Sequence, residues 1–252
     1  MIPALLLLPA GMLAGSFVTV IAHRVPRHEQ FVVGRSRCPS CGTQIAAYDN
    51  VPVLSWLALR GRCRACKSSI SARYPLAELG LGVLWAVTYL VVGDENLTEL
   101  ALGLVLCAVL VAVTLTDLEQ RLIPNRIVLA GAIAALAIML THPSSLVEHG
   151  VAAIAAGGFL LVVALLYPRG MGMGDVKLVA VMGLFLGRAV APAMVIGFAA
   201  GALVGIVMLA RHGSAARKQA IPFGPFLALG GIVALWVGDV IVDWYLDSFF
   251  SS

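Results

Sequence analysis

Charge is confined to a few short stretches of this chain, and between them run apolar segments of membrane-spanning length. Residues 1–22 carry no formally charged side chain, and the first cations, Arg24 and Arg27, come only after them. Further apolar segments lie at about 76–93, 100–116, 123–140, 150–167, 176–187, 189–210 and 221–238. A helical span takes about 20 residues, so the pattern predicts eight helices, with 176–187 the shortest. Only 12% of the residues are charged and 60% are hydrophobic, against roughly 25% and 45–50% in a soluble domain. So few charges could not cover a water-soluble globule of 252 residues, and disorder would need low hydrophobicity. The expected fold is an all-α polytopic integral membrane protein of about eight transmembrane helices. A small cytoplasmic domain is inserted after the first of them.

Loop charge orients the helices. A secretory signal places its positive charge before the apolar run. Here that order is reversed, which predicts an uncleaved first helix with its N-terminus outside. The inside segments are then 23–75, 117–126, 168–177 and 211–220. They hold 16 of the 17 Lys and Arg residues and leave only Arg188 outside, as the positive-inside rule asks. The net charge of +4 therefore reads as basic cytoplasmic loops. The expected partner is a lipid bilayer and no nucleic acid. Asp239, Asp243 and Asp247 fall on the outer side and read as a solvated helix end. Gly11 and Gly15, Gly183 and Gly187, and Gly197, Gly201 and Gly205 recur at four-residue spacing, which predicts close helix packing.

Four of the five cysteines form Cys38-Pro-Ser-Cys41 and Cys63-Arg-Ala-Cys66, separated by 21 residues. Two such turns can present four thiolates tetrahedrally, so Cys38, Cys41, Cys63 and Cys66 are expected to bind zinc. Disulfides are the alternative, but thiols on the cytoplasmic side stay reduced. Four sulfurs leave no open position, so the zinc is structural and supplies folding free energy that a loop poor in apolar residues lacks. His23 and His28 are surplus to this site. Cys107 lies mid-span and reads as a small apolar residue.

Few acids lie near the membrane on the inner side. Asp117 closes the third span in Thr116-Asp117-Leu118, before the turn Ile123-Pro124-Asn125. Asp175 opens the sixth after Gly170-Met171-Gly172-Met173-Gly174. Gly172 and Gly174 leave backbone without side-chain bulk beside an acid, where an extended peptide could bind. The 13 residues from Asp175 to Arg188 span roughly 20 Å of helix, against a hydrocarbon core of about 30 Å. An ionisable group at that depth is a functional candidate. Two carboxyls sharing one water make a peptidase site: one takes a proton from water while its protonated partner polarises the scissile carbonyl. Asp117 ends its helix and Asp175 begins its own, so helix polarity assigns the base to Asp175 and the proton donor to Asp117. Glu119 faces elsewhere, and Glu78 is expected to pair with Arg73.

With these motifs in hand, the chain resembles the type IV prepilin peptidases, bifunctional leader peptidases and N-methyltransferases of type IV pilus and type II secretion systems. The resemblance rests on Ser36-Arg37-Cys38-Pro39-Ser40-Cys41, Asn50-Val51-Pro52-Val53-Leu54-Ser55-Trp56, Gly61-Arg62-Cys63-Arg64-Ala65-Cys66 and Ser71-Ala72-Arg73-Tyr74-Pro75-Leu76-Ala77-Glu78. It continues through the two aspartate motifs and Pro222-Phe223-Gly224-Pro225. It implies that Asp117 and Asp175 are the catalytic pair and that prepilins and pseudopilins are the substrates. These would be cut after Gly on the cytoplasmic face of the bacterial inner membrane. It further implies methylation of the new N-terminal residue from S-adenosylmethionine, through pocket residues the sequence does not name. The implied domains are a first helix (1–22), a zinc-binding, methyltransferase-associated domain (23–75) and a peptidase core (76–252). Thr19 stands where the family typically has Asn. The rival readings are a non-enzymatic transporter with a zinc loop and a presenilin-like intramembrane protease. The latter would carry Tyr where this chain has Thr116, and Pro-Ala-Leu where it has Ile221-Pro222-Phe223.

Overall fold

The computed structural model describes residues 2–27, 29–30, 36–141, 145–168, 170–213 and 221–250. His28 and four of the orienting cations, Arg35, Arg169, Arg217 and Lys218, lie outside the described residues. The helices are α1 (Ile2–Arg24), α2 (Leu54–Ala58), α3 (Arg73–Val92), α4 (Leu97–Gln120), α5 (Asn125–Met139), α6 (Leu146–Leu166), α7 (Met173–Leu186), α8 (Val190–His212) and α9 (Gly224–Phe250). Among the described residues there is no strand, only the isolated bridges Arg37–Gln44 and Arg62–Ser69.

Each of the eight apolar segments is helical, but among the described residues six stretches are long and apolar enough to cross a bilayer. The difference lies in two places. Helix α5 has 15 residues, about 22 Å, which falls short of a hydrocarbon core. Helix α7 has 14 residues and runs through the 3-10 turn Gly187–Ala189 into α8, so the two form one apolar stretch of 40 residues. Gly187 breaks the helix with φ +52°. The outward faces carry Leu5, Leu6, Leu90, Ile154, Leu165 and Ile206, all exposed, as a lipid-facing surface requires. The protein is a multi-pass membrane protein.

The chain divides into two compact units, Met1–Gly93 and Asp94–Ser252. In the first, α1 packs along α3 backbone to backbone. A Cβ on Gly11 would lie 2.8 Å from Gly82 Cα, and one on Gly15 would lie 2.7 Å from Glu78 Cα. Between these helices, Trp56 donates from Nε1 to the Ile70 carbonyl at 3.0 Å, and Arg64 grips Asp49 through two nitrogens at 2.6 and 2.8 Å. Glu78 does not take up the expected pairing with Arg73. Its Oε2 accepts the N–H of Val53 at 2.8 Å and caps the start of α2, whose preceding residue sits at φ +59°.

In the second unit, α9 packs against α4, α7 and α8, and glycine lets it approach each closely. A Cβ on Gly231 would lie 2.8 Å from Met182 Cε, and one on Gly238 would lie 2.7 Å from Ala189 Cβ; one on Gly230 would strike the Ala193 carbonyl. Leu106, Leu110, Val113, Leu178, Met182 and Leu227 fill the core. The aspartate row on α9 is more than a solvated end. Arg188 Nε meets Asp239 Oδ1 at 2.8 Å, and its Nη1 meets Asp243 Oδ1 at 2.7 Å. The cation left outside by the charge count thus ties the α7–α8 turn to the far end of α9.

Close packing of α6 on α7 gives an internally controlled test. A Cβ on Gly183 would lie 2.6 Å from Ala153 Cα, whereas one on Gly158 meets nothing within 4 Å. Gly183→Ala is expected to destabilise the detergent-solubilised protein by about 1–3 kcal/mol, seen as a lower thermal midpoint. Gly158→Ala should leave the midpoint unchanged or raised. Equal midpoints for the two variants would contradict this packing.

Candidate active site

Asp117 sits in the last turn of α4, only 6% exposed. The helix stops four residues later at Arg121, which adopts φ +52° and returns its N–H to the Asp117 carbonyl at 2.9 Å. The chain then turns through Ile123 and Pro124 into α5. That turn meets the first turn of α7. A Cβ on Gly174 would lie 3.0 Å from Ile123 Cβ, so the absent side chain at 174 lets the buried Ile123 close in. Lys177 Nζ donates to Asn125 Oδ1 at 3.0 Å. Two motifs separated by about fifty residues are thereby fastened together.

Asp175 is the third residue of α7, and its side chain folds back over the helix start. Its N–H donates to the Gly172 carbonyl at 3.1 Å, and its Oδ2 accepts the Gly172 N–H at 3.2 Å. The half-buried Asp175 carboxyl interacts electrostatically with that of Asp117. Gly170 and Gly172 are exposed beside it, with no side chain to obstruct a neighbouring strand. Asp117 Oδ2 accepts the main-chain N–H of Gly224, the first residue of α9, at 2.7 Å. A Cβ on Gly224 would lie 2.9 Å from that oxygen.

The two aspartates singled out by sequence therefore converge at one end of the second unit, while Glu119 is exposed. Helix polarity alone no longer separates their roles. Asp117 closes α4 but faces the N-terminus of α9, as Asp175 faces that of α7. Sequence reasoning missed Gly224 and the Lys177–Asn125 bond. The Phe-Gly-Pro motif signalled the first, but nothing local says which carboxyl it meets.

In the first unit, each cysteine pair is built the same way. Cys38 N–H donates to the Thr43 carbonyl at 2.9 Å and Gly42 N–H to the Cys38 carbonyl at 2.8 Å. Cys63 and Lys67 repeat both bonds at 2.9 and 3.0 Å, with Ser68 in the place of Thr43. Gly42 and Lys67, each following a second cysteine, share a left-handed backbone at φ +69° and +61°. The four sulfurs lie within 4.8 Å of one another, and Cys38 Sγ is 3.7 Å from Cys66 Sγ. A tetrahedron with metal–sulfur bonds of about 2.3 Å has edges of about 3.8 Å. No disulfide is formed. Backbone N–H groups led by that of Cys41 bring the Cys38 thiol down to about 6, and Ser68 lowers that of Cys66. The donor set fits a metal ion. Thr19 turns its hydroxyl into its own helix, bonding the Ser16 carbonyl at 2.8 Å.

Comparison with known proteins follows the two units. Residues 10–92 match the bacterial peptidase A24 N-terminal domain, and residues 104–209 match the type IV leader peptidase family. The chain is similar to the prepilin leader peptidase/N-methyltransferase of Aeromonas hydrophila, with 37% identity over 95% of this chain and 92% of that protein. Proteins of the same name from Burkholderia pseudomallei and Bacillus subtilis are 36% and 35% identical over 90% and 94% of this chain, covering 83% and 95% of their own length. No solved structure matches it significantly. Relatives aligned along nearly the whole sequence, with both aspartates inside the matched peptidase region, establish that the chain belongs to the type IV leader peptidase family.

Proposed function

We propose that this protein removes the basic leader from type IV prepilins and pseudopilins, cutting after Gly at the cytoplasmic face of the inner membrane. It then methylates the new N-terminal residue from S-adenosylmethionine. The observation that carries the peptidase half is the convergence of Asp117 and Asp175 beside the unobstructed backbone of Gly170 and Gly172. The names of relatives at 35–37% identity support both halves.

The chemistry follows from the two carboxyls. Like charges at close range do not both ionise, so the pair holds one proton. The ionised member takes a proton from water, and the water oxygen bonds to the scissile carbonyl carbon. The protonated member gives its proton to the carbonyl oxygen. The tetrahedral adduct then breaks its C–N bond: the leaving amine takes the proton the first carboxyl had received, and as the carbonyl re-forms one hydroxyl of the adduct returns its proton to the second carboxylate, which restores the pair. Ile123 against Gly174 and Lys177 on Asn125 keep the two aspartates in register while this happens. Gly172, whose N–H and carbonyl are both bonded to Asp175, leaves room for an extended leader because it has no side chain, and Gly174 contributes by letting Ile123 close in.

Loop cations orient the site toward the cytoplasm, with the N-terminus outside and Arg188 at the opposite end. Cys38, Cys41, Cys63 and Cys66 would hold zinc, which when bound supplies a structural cross-link and, with no free coordination position, no reactive one. Methyl transfer belongs to the 23–75 segment that carries these cysteines, and no residue is assigned to the methyl donor.

Asp117→Asn and Asp175→Asn should each lower prepilin cleavage at least a hundredfold while the purified proteins remain folded, as judged by circular dichroism and size-exclusion profile. Wild-type cleavage by either variant would remove that residue from the pair. Cys63→Ser should lose zinc by elemental analysis and expose residues 38–69 to amide exchange, leaving α4–α9 protected. Full zinc content in that variant, or unchanged exchange across 38–69, would contradict the assignment.

A further inference from the structure

The first turn of α9 has an unusual donor inventory. A helix start normally presents several N–H groups without intrahelical acceptors. Here Pro225 has none, and the N–H groups of Phe226 and Leu227 both return to the Phe223 carbonyl at 3.0 and 3.2 Å. One donor of residues 224–227 therefore points away from the helix, the N–H of Gly224, and it ends on Asp117 Oδ2 at 2.7 Å in a buried setting. We propose that Gly224 is a positioning residue for the peptidase reaction: its N–H holds Asp117 Oδ2 as an acceptor and leaves Oδ1 to meet water and the scissile carbonyl. This rests on the reading of Asp117 as half of the catalytic pair.

Three features fix that donor in space. Phe223, whose carbonyl shares the peptide unit with the Gly224 N–H, stacks on Phe198 at a centroid distance of 5.3 Å and meets the tilted ring of Phe226 at 6.2 Å. A Cβ on Gly201 would lie 2.8 Å from the Phe223 ring, so the ring is seated directly on α8. Along its length α9 meets α4, α7 and α8 through Gly197, Gly230 and Gly231, where there is no slack for the helix to slide. At its far end it is pinned by Arg188. Glycine at 224 is itself required, because a Cβ there would fall 2.9 Å from Oδ2 and 3.2 Å from Asp117 Cβ.

The arrangement also sets where the shared proton can be. Asp117 Oδ2 accepts from Gly224 and Asp175 Oδ2 accepts from Gly172. A carboxyl oxygen receiving an N–H bond is disfavoured as the site of its own hydroxyl hydrogen. The proton of the pair is therefore favoured on an Oδ1, the oxygen of each carboxyl that these two bonds leave. Proton transfer to and from the substrate then starts from a defined atom on each side.

The direct test replaces Gly224 by glycolic acid during cell-free synthesis of the full chain into nanodiscs. This turns the N–H into an ester oxygen and adds no Cβ. The expected result is a fall in kcat of about ten- to hundredfold, the usual weight of a hydrogen bond to a charged group. KM for the prepilin should be unchanged, and the pH–rate profile should be displaced because Asp117 has lost its partner. Gly224→Ala, which crowds Oδ2 instead, should reproduce the kcat loss per folded molecule. Wild-type kcat and pH profile in the ester protein overturn the proposal, as does a loss confined to KM or to the yield of folded protein in both variants. Asp117→Asn is measured alongside. If it is inactive while the ester protein is fully active, only the positioning role falls; if it is itself active, the catalytic reading falls as well.

Discussion

A carboxyl group buried in the last turn of a helix long and apolar enough to cross a membrane needs a fixed donor. For Asp117 that donor is the Gly224 N–H, 107 residues away in sequence. An unpaired acid buried in this way would cost several kcal/mol, and a hydrogen bond to a charged group returns about 1.5–3 kcal/mol. The bond can be made because α9 is held on three sides by glycine contacts that admit backbone where side chains would otherwise stand. Lipid tails give helices no hydrophobic reason to associate, so van der Waals contact at this range holds the bundle together. The same packing sets the geometry of the proposed site. Helices α4, α7 and α9 each bring one part, and none of the three could shift without separating Asp117, Asp175 and Gly224.

The first unit solves a different problem. Between α1 and α3 lies a segment whose apolar side chains are largely turned outward, with Tyr48, Leu54 and Leu57 exposed. Burial cannot hold it, and its order comes from two matched cysteine turns, the Trp56–Ile70 bond and the Arg64–Asp49 pair. The tight turns set four sulfurs at nearly the edge length that tetrahedral metal coordination asks for. A metal ion held there would add its binding free energy to the folding of this segment, while the α1–α3 pair rests on its own glycine contacts.

Much of this was legible in the sequence because the signals are local. Charge scarcity marks apolar helices, paired cysteines mark a sulfur cluster, and an aspartate at a helix end beside glycines marks a candidate acid. What remained hidden depends on pairing between distant segments. The length rule leaves α5 out of the six full-length stretches and joins α7 to α8 in one of them, because apolar composition says nothing of where a helix stops. Glu78 has Arg73 near it in sequence, yet it caps α2 because folding brings the Val53 N–H to it. The three aspartates of α9 look like a wet helix end until Arg188 is found against two of them. Helix polarity separated Asp117 from Asp175 only while each was viewed on its own helix; the N-terminus of α9 equalises them.

Asp117 and Asp175 are proposed to act as one unit on one water, and a double-mutant cycle on cleavage measures this directly. Residual prepilin cleavage would be quantified by mass spectrometry for Asp117→Asn, Asp175→Asn and the double variant in the same nanodiscs. Residues that share a proton lose their joint function when either is removed. The double variant is therefore expected to be no slower than the slower single variant. Losses that multiply, so that the double variant falls by the product of the two single effects, would show independent roles and contradict the shared-proton pair.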